Sequence, residues 1–432
     1  MILTGWGRYP RIRSQARSFE SPEELSRAMA TEGVFIPHGM GRSYGDSALN
    51  DHVVVTRRFN RILDFDPATG LVQCEAGVTL SELIDVFLPR GWFLSVTPGT
   101  KHITVGGAIA SDVHGKNHHV AGCFSSCVAF FDLMLADGEI KRCSPEQNVE
   151  LFRATCGGMG LTGVILAAGV RLQPVQSAFI DQVTLKASNL RDIFDLFEAY
   201  ASWTYSVAWI DCLAKGESLG RSLLMVGEHR QDRVLRPRPK KPLNVPVEFP
   251  SFALNPFSVA LFNTLYYHRI RTKVVKSVVD VNSFFYPLDA IGNWNRIYGK
   301  GGFTQYQCVL PTAASYEGLR VILGKISEAG LGSFLAVLKL FGEENANWLS
   351  FPRAGYTLAL DFKIEPQLFP LLDALDRVVL DYGGRIYLTK DVRMLKPTFE
   401  AGYPRLDGFR GLRERLGLHK VFQSLQSKRL EF

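Results

Sequence analysis

Three short stretches concentrate glycine where a chain would need its backbone close to a ligand. In HGMGRSYGD, Gly39, Gly41 and Gly45 leave successive backbone N–H groups free to approach a diphosphate, and Arg42 and Ser43 can add donors. In PGTKHITVGGAIASDVHGKNHH, Gly99, Gly106, Gly107 and Gly115 alternate with small residues, a close-packed surface for a flat ring or phosphates. TCGGMGLTGV, from Thr155 to Val164, again brings backbone close to a ligand or to another strand. Any one of these loops is explained equally well as a structural turn. Together, in one half of the chain, they point to one extended ligand, longer than a mononucleotide. A Rossmann turn does not fit: the first spacing is G-x-G-x-x-x-G, and no helix of useful length fits before Val53. His102, His114, His118 and His119 invite a metal reading, but neither H-E-x-x-H nor a cysteine pairing accompanies them. No metal is expected, and His118 and His119 read as structural.

The elements around these loops are legible from periodicity. Ser21-Pro22-Glu23-Glu24 offers a cap, a first-turn proline and a capping-box glutamate for a helix ending near Gly33. Val34-Phe35-Ile36 then forms a short buried strand into the first glycine loop. Val53 to Thr56 and Leu71 to Gly77 read as strands, and Thr79 with Glu82 opens a helix carrying Leu80, Leu83, Ile84 and Phe87 on one face. FDLMLADGEIKRCS is a hairpin about Asp137-Gly138, and Gly163 to Val175 is a further strand. A boundary falls near residue 176. Beyond it come an amphipathic helix from Asn189 to Tyr200, strands in FTQYQCVLP and YTLALDFKI, and helices over Tyr316 to Ala329 and Gln367 to Tyr382. The second half is therefore an antiparallel sheet with helices on one face. Gln305 and Gln307, at i and i+2, share a side of their strand, as sugar-hydroxyl ligands or as a structural polar pair.

Composition sets limits. At 432 residues with 46% hydrophobic and 21% charged residues, the chain is an ordinary globular one with room for two or three domains. Seven scattered cysteines do not form a disulfide framework and are expected reduced and buried. No apolar run spans a bilayer and the N-terminus lacks a signal core, which favours synthesis as a soluble protein on the cytoplasmic side. The net charge of +7 gathers partly between His229 and Lys276, where Pro237, Pro239, Pro242, Pro246 and Pro250 also accumulate. That stretch reads as a mobile basic loop, either simply solvated or drawn to phosphate or anionic lipid.

From GWGR (Gly5 to Arg8) through GMGRSYGD, PGT, TVGGAI, DVHGKNHH and GLTG, the chain resembles the vanillyl-alcohol-oxidase type of FAD-binding family. Within that family it is similar to the flavoprotein subunits of decaprenylphosphoryl-ribose epimerases. The similarity runs on through SVAWIDC, FYPLDAIGNWNRIYG, FTQYQCVLP, FLAVLKLFG, GGRIYLTKDVR and YPR, nearly the whole chain. It implies an α+β, two-domain flavoprotein: an FAD-binding domain over 1–176 completed by 385–432, and an antiparallel-sheet substrate domain over 177–384 with the basic segment around 230–276. It implies FAD contacts from Pro37, His38, Gly39, Met40, Gly41, Arg42, Ser43, Tyr44, Gly45, Asp46 and Ser47 in the first loop. Further contacts carried over are Gly99, Thr104, Val105, Gly106, Gly107, Ser111, Asp112, Val113, His114, Ile165 and Tyr387.

The resemblance also assigns chemistry. Lys390, just after strand-like Arg385 to Leu388, matches a flavin-side lysine that handles the hydroxyl proton or polarises substrate, with Gln307, Tyr44 and His114 beside it. Gln305, Lys116, Trp209, Lys339 and Phe285 fall at substrate-binding positions. The implied reaction is oxidation of the 2-hydroxyl of a polyprenyl-phosphoryl-β-D-ribose, completed by an NAD(P)H-dependent short-chain reductase partner that yields the arabinose epimer. Related oxidases anchor the flavin through the histidine of R-S-x-G-H; Asp46 stands there in this chain, so the FAD is expected to be non-covalent. Two departures touch the substrate side: Ala359 replaces a cysteine of mycobacterial members, and Phe285 stands where a tyrosine is expected. A sugar or alditol oxidase using oxygen is the alternative enzyme, and a flavin-free membrane tether the alternative of another class.

Overall fold

The computed structural model describes residues 1–237, 243–250 and 252–432. The cap signals act as read. Ser21 accepts from the Glu24 amide at the start of the Pro22–Glu32 helix, and Thr79 and Glu82 form a reciprocal capping box on Leu80–Phe87. Ile36–His38 pairs in parallel with His52–Val55, which also pairs with Gln15–Ser18. The first glycine loop thus leaves a strand end and returns to the neighbouring strand without a helix between them.

A six-stranded antiparallel sheet follows, in the order Ile140–Cys143, Val128–Met134, Val164–Pro174, Leu71–Glu75 and Ile62–Asp66, with Trp92–Leu94 pairing the far end of Val164–Pro174. The expected Asp137-Gly138 hairpin joins its first two strands, with Ile140 opposite Met134. An eight-stranded antiparallel sheet makes up most of the rest, ordered Val274–Asp280, Phe179–Ala187, Ser222–His229, Tyr205–Ile210, Ala336–Phe341, Gly355–Lys363, Phe303–Pro311 and Arg385–Ile386. The boundary expected near residue 176 falls between Val164–Pro174 and Phe179–Ala187. One apolar core nonetheless runs through both halves.

Side-chain alternation gives the large sheet two unlike faces. Tyr306, Cys308, Leu310, Leu338, Leu358 and Leu360 are buried in the core, under the Leu190–Ala199, Thr312–Ala329 and Leu368–Asp381 helices. On the opposite face the register sets Gln307 beside Ala359, Ala359 beside Val337 and Val337 beside Trp209, with Gln305 beside Asp361 and Lys339 beside Thr357. Polar and charged groups thus stand on one side of a sheet whose other side is oil. Such groups need partners or a ligand, because burying them alone is costly.

The C-terminal segment returns to the first half. The Phe35 amide donates to the Val421 carbonyl, the Gln423 amide to Phe35 and the Leu425 amide to Leu49. Part of the basic region expected to be mobile is tied down: Leu243–Asn244 pairs with Ile291–Gly292, Arg296 donates to the Val245 and Pro246 carbonyls, and Glu248 pairs with Arg8 at 2.7 Å. Pro256–His268 and Val274–Asp280 follow as a helix and a strand. Arg238 to Pro242 and Ser251, which share that expectation, lie outside the described residues. All seven cysteines are buried and free, as expected.

Candidate active site

The amides of Gly39, Met40, Gly41, Arg42 and Ser43 donate to no acceptor among the described residues, so five consecutive N–H groups are open along the first loop. Arg42 sits over the Trp6 ring at 3.9 Å with its Nε buried and unpartnered, and burial lowers its pKa. Thr104 caps Val105–Ala110 by accepting from the Gly107 amide; Gly99 has open space where a side chain would be. Beyond that helix, Tyr387 donates its hydroxyl to the Ser111 carbonyl at 2.9 Å, and Ile165 borders a bulge in Val164–Pro174. The open amides and the orphaned guanidinium suit a diphosphate.

Several of the glycines have another reason to be glycine. A Cβ on Gly45 would stand 1.6 Å from the Asp391 carbonyl oxygen, and one on Gly39 would stand 2.6 Å from Thr104 Oγ1. In the third loop, Gly158 faces the Ala154 carbonyl at 2.1 Å and Gly163 that of Met134 at 2.5 Å. Gly45, Gly158 and Gly163 thus bring protein backbone to protein backbone, and Gly39 brings it to the Thr104 side chain.

Two of the anticipated FAD-contacting acids have their carboxylates already engaged. Arg429 holds Asp46 with bonds of 2.9 and 3.2 Å and reaches Asp391 at 2.9 Å. Asp112 accepts from the Ser125 amide, Asn345, Asn347 and Ser350, all within 3.0 Å. His38 gives its Nδ1–H to the Ala48 carbonyl at 2.8 Å; burial keeps it neutral by lowering its pKa. Pro37 and Ser47 flank this turn, Val113 and Val105 are buried, and Met40 is exposed.

His114 joins the loops to the large sheet. Gln307 Nε2 lies 3.0 Å from His114 Nε2 and donates as well to Thr357 Oγ1 at 3.2 Å. Since an amide NH2 only donates, His114 Nε2 accepts and its proton sits on Nδ1. That Nδ1 is buried with no partner, a second orphan on the ligand side. Burial drives the His114 pKa well down, helped by Lys339, His118 and Lys390, so the ring is neutral.

Three half-buried lysines surround this centre. Lys390 Nζ stands 3.9 Å from the Tyr44 ring centroid. Lys116 lies over the Phe284 ring at 4.5 Å and donates to the Phe284 carbonyl. Among the described residues, neither Lys390 nor Lys339 has a hydrogen-bond acceptor or an ion-pair partner. Burial pulls Lys390 and Lys116 down to about 7 and Lys339 to about 8, and Lys339 adds its repulsion to the first two. An amine near neutrality in such a place can take up a proton at working pH.

Asp361 was not anticipated. Its Oδ1 accepts from Gln305 Nε2 at 2.5 Å, and the buried Tyr298 hydroxyl stands by the carboxylate and favours its charged form. Burial raises its pKa to about 7, against the opposing effects of Gln305 and Lys390. The acid sits in the apolar run YTLALDFKI, and only the strand register, which sets it opposite Gln305, reveals it as a site group.

Trp209 is buried on the same sheet face, its Nε1–H donating to the Phe334 carbonyl at 3.1 Å and its ring 4.7 Å from Tyr266. Phe285 follows the Phe284 that Lys116 meets. It is 2% exposed in a core cluster with Phe93, Tyr205 and Phe284. His118 and His119 bond to the Gly342 amide and the Trp203 carbonyl, and no metal-binding group of side chains occurs among the described residues.

A loop of open amides, a group of mutually repelling lysines and a neutral histidine suit an anionic cofactor, and comparison with known proteins agrees. An FAD binding domain model matches residues 16–144. The chain is 40% identical, over 99% of its length and 97% of the relative's, to decaprenylphosphoryl-beta-D-ribose oxidase of Mycolicibacterium smegmatis. It is 33% identical over 27% of its length to human delta(24)-sterol reductase, and 32% over 38% to L-gulonolactone oxidase of Mus musculus. The chain belongs to the vanillyl-alcohol-oxidase-type family of FAD-linked oxidoreductases.

Proposed function

We propose that the protein oxidises the 2-hydroxyl of a polyprenyl-phosphoryl-β-D-ribose to the 2-keto sugar, with non-covalently held FAD as the oxidant. The observation that carries this is the match to the mycobacterial ribose oxidase along the full chain, through the strands that bear Gln305, Gln307 and Lys339 and the turn that bears Lys390. Bound FAD accepts the hydride. It would lie along the open amides of Gly39 to Ser43 with Arg42 at the diphosphate, and His114 Nδ1–H would be a donor to it. Non-covalent attachment is supported by Asp46, whose carboxylate is committed to Arg429 and is no nucleophile toward a ring.

The chain's own groups handle the proton. Lys390, neutral for part of its population near pH 7, accepts the proton of the 2-hydroxyl at Nζ, and Asp361, with a pKa in the same range, favours the resulting ammonium. The Gln305 and Gln307 amide nitrogens are occupied by Asp361, His114 and Thr357, which leaves their oxygens to accept from sugar hydroxyls. Lys116 and Lys339 offer positive charge to the sugar phosphate. In this reading residues 1–176 with 385–432 bind the cofactor and 177–384 the substrate. The keto product then requires a hydride donor, an NAD(P)H-dependent short-chain reductase as partner.

The test is an anaerobic spectrum. Adding polyprenyl-phosphoryl-ribose to the purified protein is expected to bleach the oxidised flavin band and yield a product two mass units lighter, as loss of two hydrogens requires (~2 Da). A flavin that stays oxidised would refute this substrate. Turnover of free sugars with stoichiometric hydrogen peroxide would instead identify an oxygen-using sugar oxidase.

A further inference from the structure

The Pro256–His268 helix is apolar on both sides although it lies on the surface. Its inner side is firmly seated: Val259, Asn263 and Tyr267 are buried, and Asn263 Nδ2 donates to Asp211 Oδ1 at 2.9 Å. Asn255 and Ser258 cap its start reciprocally. Its outer side bears Phe257, Leu261 and Leu265, spaced i, i+4, i+8 and exposed by 78%, 50% and 64%. Phe252, 76% exposed, precedes them. A globular helix normally turns charged groups outward, and a contiguous apolar row left bare marks an interaction surface.

Charge identifies the occupant. From Asn255 to Val279 the sequence contains no Asp or Glu, while His268, Arg269, Arg271, Lys273 and Lys276 follow the apolar row directly. These five are exposed, and none pairs with a carboxylate among the described residues. Val274 and Val278 alternate with Lys276 along the outer edge strand of the large sheet. Apolar side chains flanked by unpaired cations are the recognition chemistry of an anionic bilayer, with the rings in the acyl boundary and the cations at the headgroups.

We propose that this face, Phe252 with the outer row of Pro256–His268 and the basic run to Lys276, seats the protein on anionic membrane. The position fits the chemistry. Leu254, Pro256 and Val259 wall a cavity of about 40 Å³ that reaches Tyr298 and Asp361. A lipid-linked substrate held by that bilayer would thus lie beside the wall of the candidate site. That last link rests on the proposed function; the membrane contact does not, because it is measured without substrate.

The experiment is co-sedimentation of the full-length flavoprotein with vesicles of phosphatidylcholine alone or with about one-third phosphatidylglycerol. The expected result is binding to the anionic vesicles, several-fold weaker on neutral ones and weakened by salt. Phe257→Ser/Leu261→Ser/Leu265→Ser should lower partitioning at least ~10-fold, and Arg269→Glu/Arg271→Glu/Lys273→Glu should abolish the preference for anionic lipid. Flavin absorbance and melting temperature verify folding of both variants. Turnover of a water-soluble short-chain substrate reports separately on the proposed reaction. Wild-type protein that ignores anionic vesicles, or a serine variant that binds as wild type does, overturns the proposal. So does a concentration-dependent dimer abolished by the serine variant without vesicle binding, since a second copy would then cover the face.

Discussion

The Lys390 ammonium nitrogen lies 3.9 Å from the centre of the Tyr44 ring, and the Tyr44 amide donates to the carbonyl of Thr389, the residue before Lys390, at 3.0 Å. The glycine loop and the turn after Arg385–Ile386 are therefore fixed to each other at the point where the candidate proton acceptor stands. The ring face stabilises the cation, but burial outweighs it and holds Lys390 near 7.

The first prediction concerns pH. If the neutral amine accepts the proton, kcat/KM should rise with pH through about 7, far below the ordinary lysine value of 10.5. Lys390→Met should lower kcat by ~10²–10⁴, the range for loss of a general base, and remove that limb. A profile flat from pH 5 to 9 in the wild type would exclude the role (roughly two units on either side of the expected pKa).

A second prediction separates Asp361 from Lys390. The Asp361 carboxylate favours the lysine's charged form, so Asp361→Asn should push the Lys390 pKa lower and move the acidic limb to lower pH. Stability should change with the opposite emphasis. Burial raises Asp361 from 3.8 to about 7, so between those values the folded state holds a proton that the unfolded state has lost. Stability through this group therefore falls as pH rises from about 4 to about 7, and the penalty is complete above 7. Thermal melts should show the asparagine variant at least as stable as wild type at pH 8; a lower melting temperature there would contradict a carboxylate whose burial outweighs its hydrogen bonds.

What was legible in the sequence follows from the range of the forces involved. Caps, hairpins and strand alternation are local, and Ser21, Thr79, Asp137-Gly138 and the Gln305/Gln307 phase all act as their neighbours dictate. Asp361 was missed because its meaning depends on a strand more than fifty residues away, as its partner Gln305 lies 56 positions earlier. The glycines failed differently. Their spacing shows that something approaches the backbone but not what, and at Gly45 and Gly163 it is another stretch of the same chain. Phe285 has the type and neighbourhood of a pocket residue, yet Phe93 and Tyr205 enclose it.

The third prediction tests the histidine tautomer. Gln307 is the donor that forces the His114 proton onto Nδ1. Gln307→Leu removes that donor and leaves Nε2 buried beside an apolar side chain, so the ring is free to adopt either tautomer. Losing one neutral hydrogen bond is worth about 1 kcal/mol, and FAD retention should weaken by several-fold, measured as fluorescence of released flavin after dilution. Gln307→Glu, a carboxylate beside His114 Nε2, should draw the proton to Nε2 and weaken retention as well. Unchanged retention in both variants would mean that His114 does not meet the cofactor.

The last prediction concerns the C-terminus. Arg429, in the Leu425–Leu430 helix, bridges Asp46 of the glycine loop and Asp391, the residue after Lys390. Both carboxylates are buried, and Asp391 also accepts from the Arg393 and Met394 amides, which with Arg429 hold its pKa down despite burial. Arg429→Met leaves two buried anions facing each other, a loss of about 3–5 kcal/mol by the usual cost of breaking a buried ion pair. Because the triad spans the glycine loop and the turn that carries Lys390, the damage should reach both sites: a lower melting temperature, weaker FAD retention and a displaced Lys390 limb in the pH profile. Acid is expected to restore part of the loss, since protonating Asp46, whose pKa burial already raises, removes one of the opposed charges. A variant that melts like wild type across pH 5 to 8 (roughly the range over which such buried carboxylates titrate) would show that this triad does not hold the C-terminus in place.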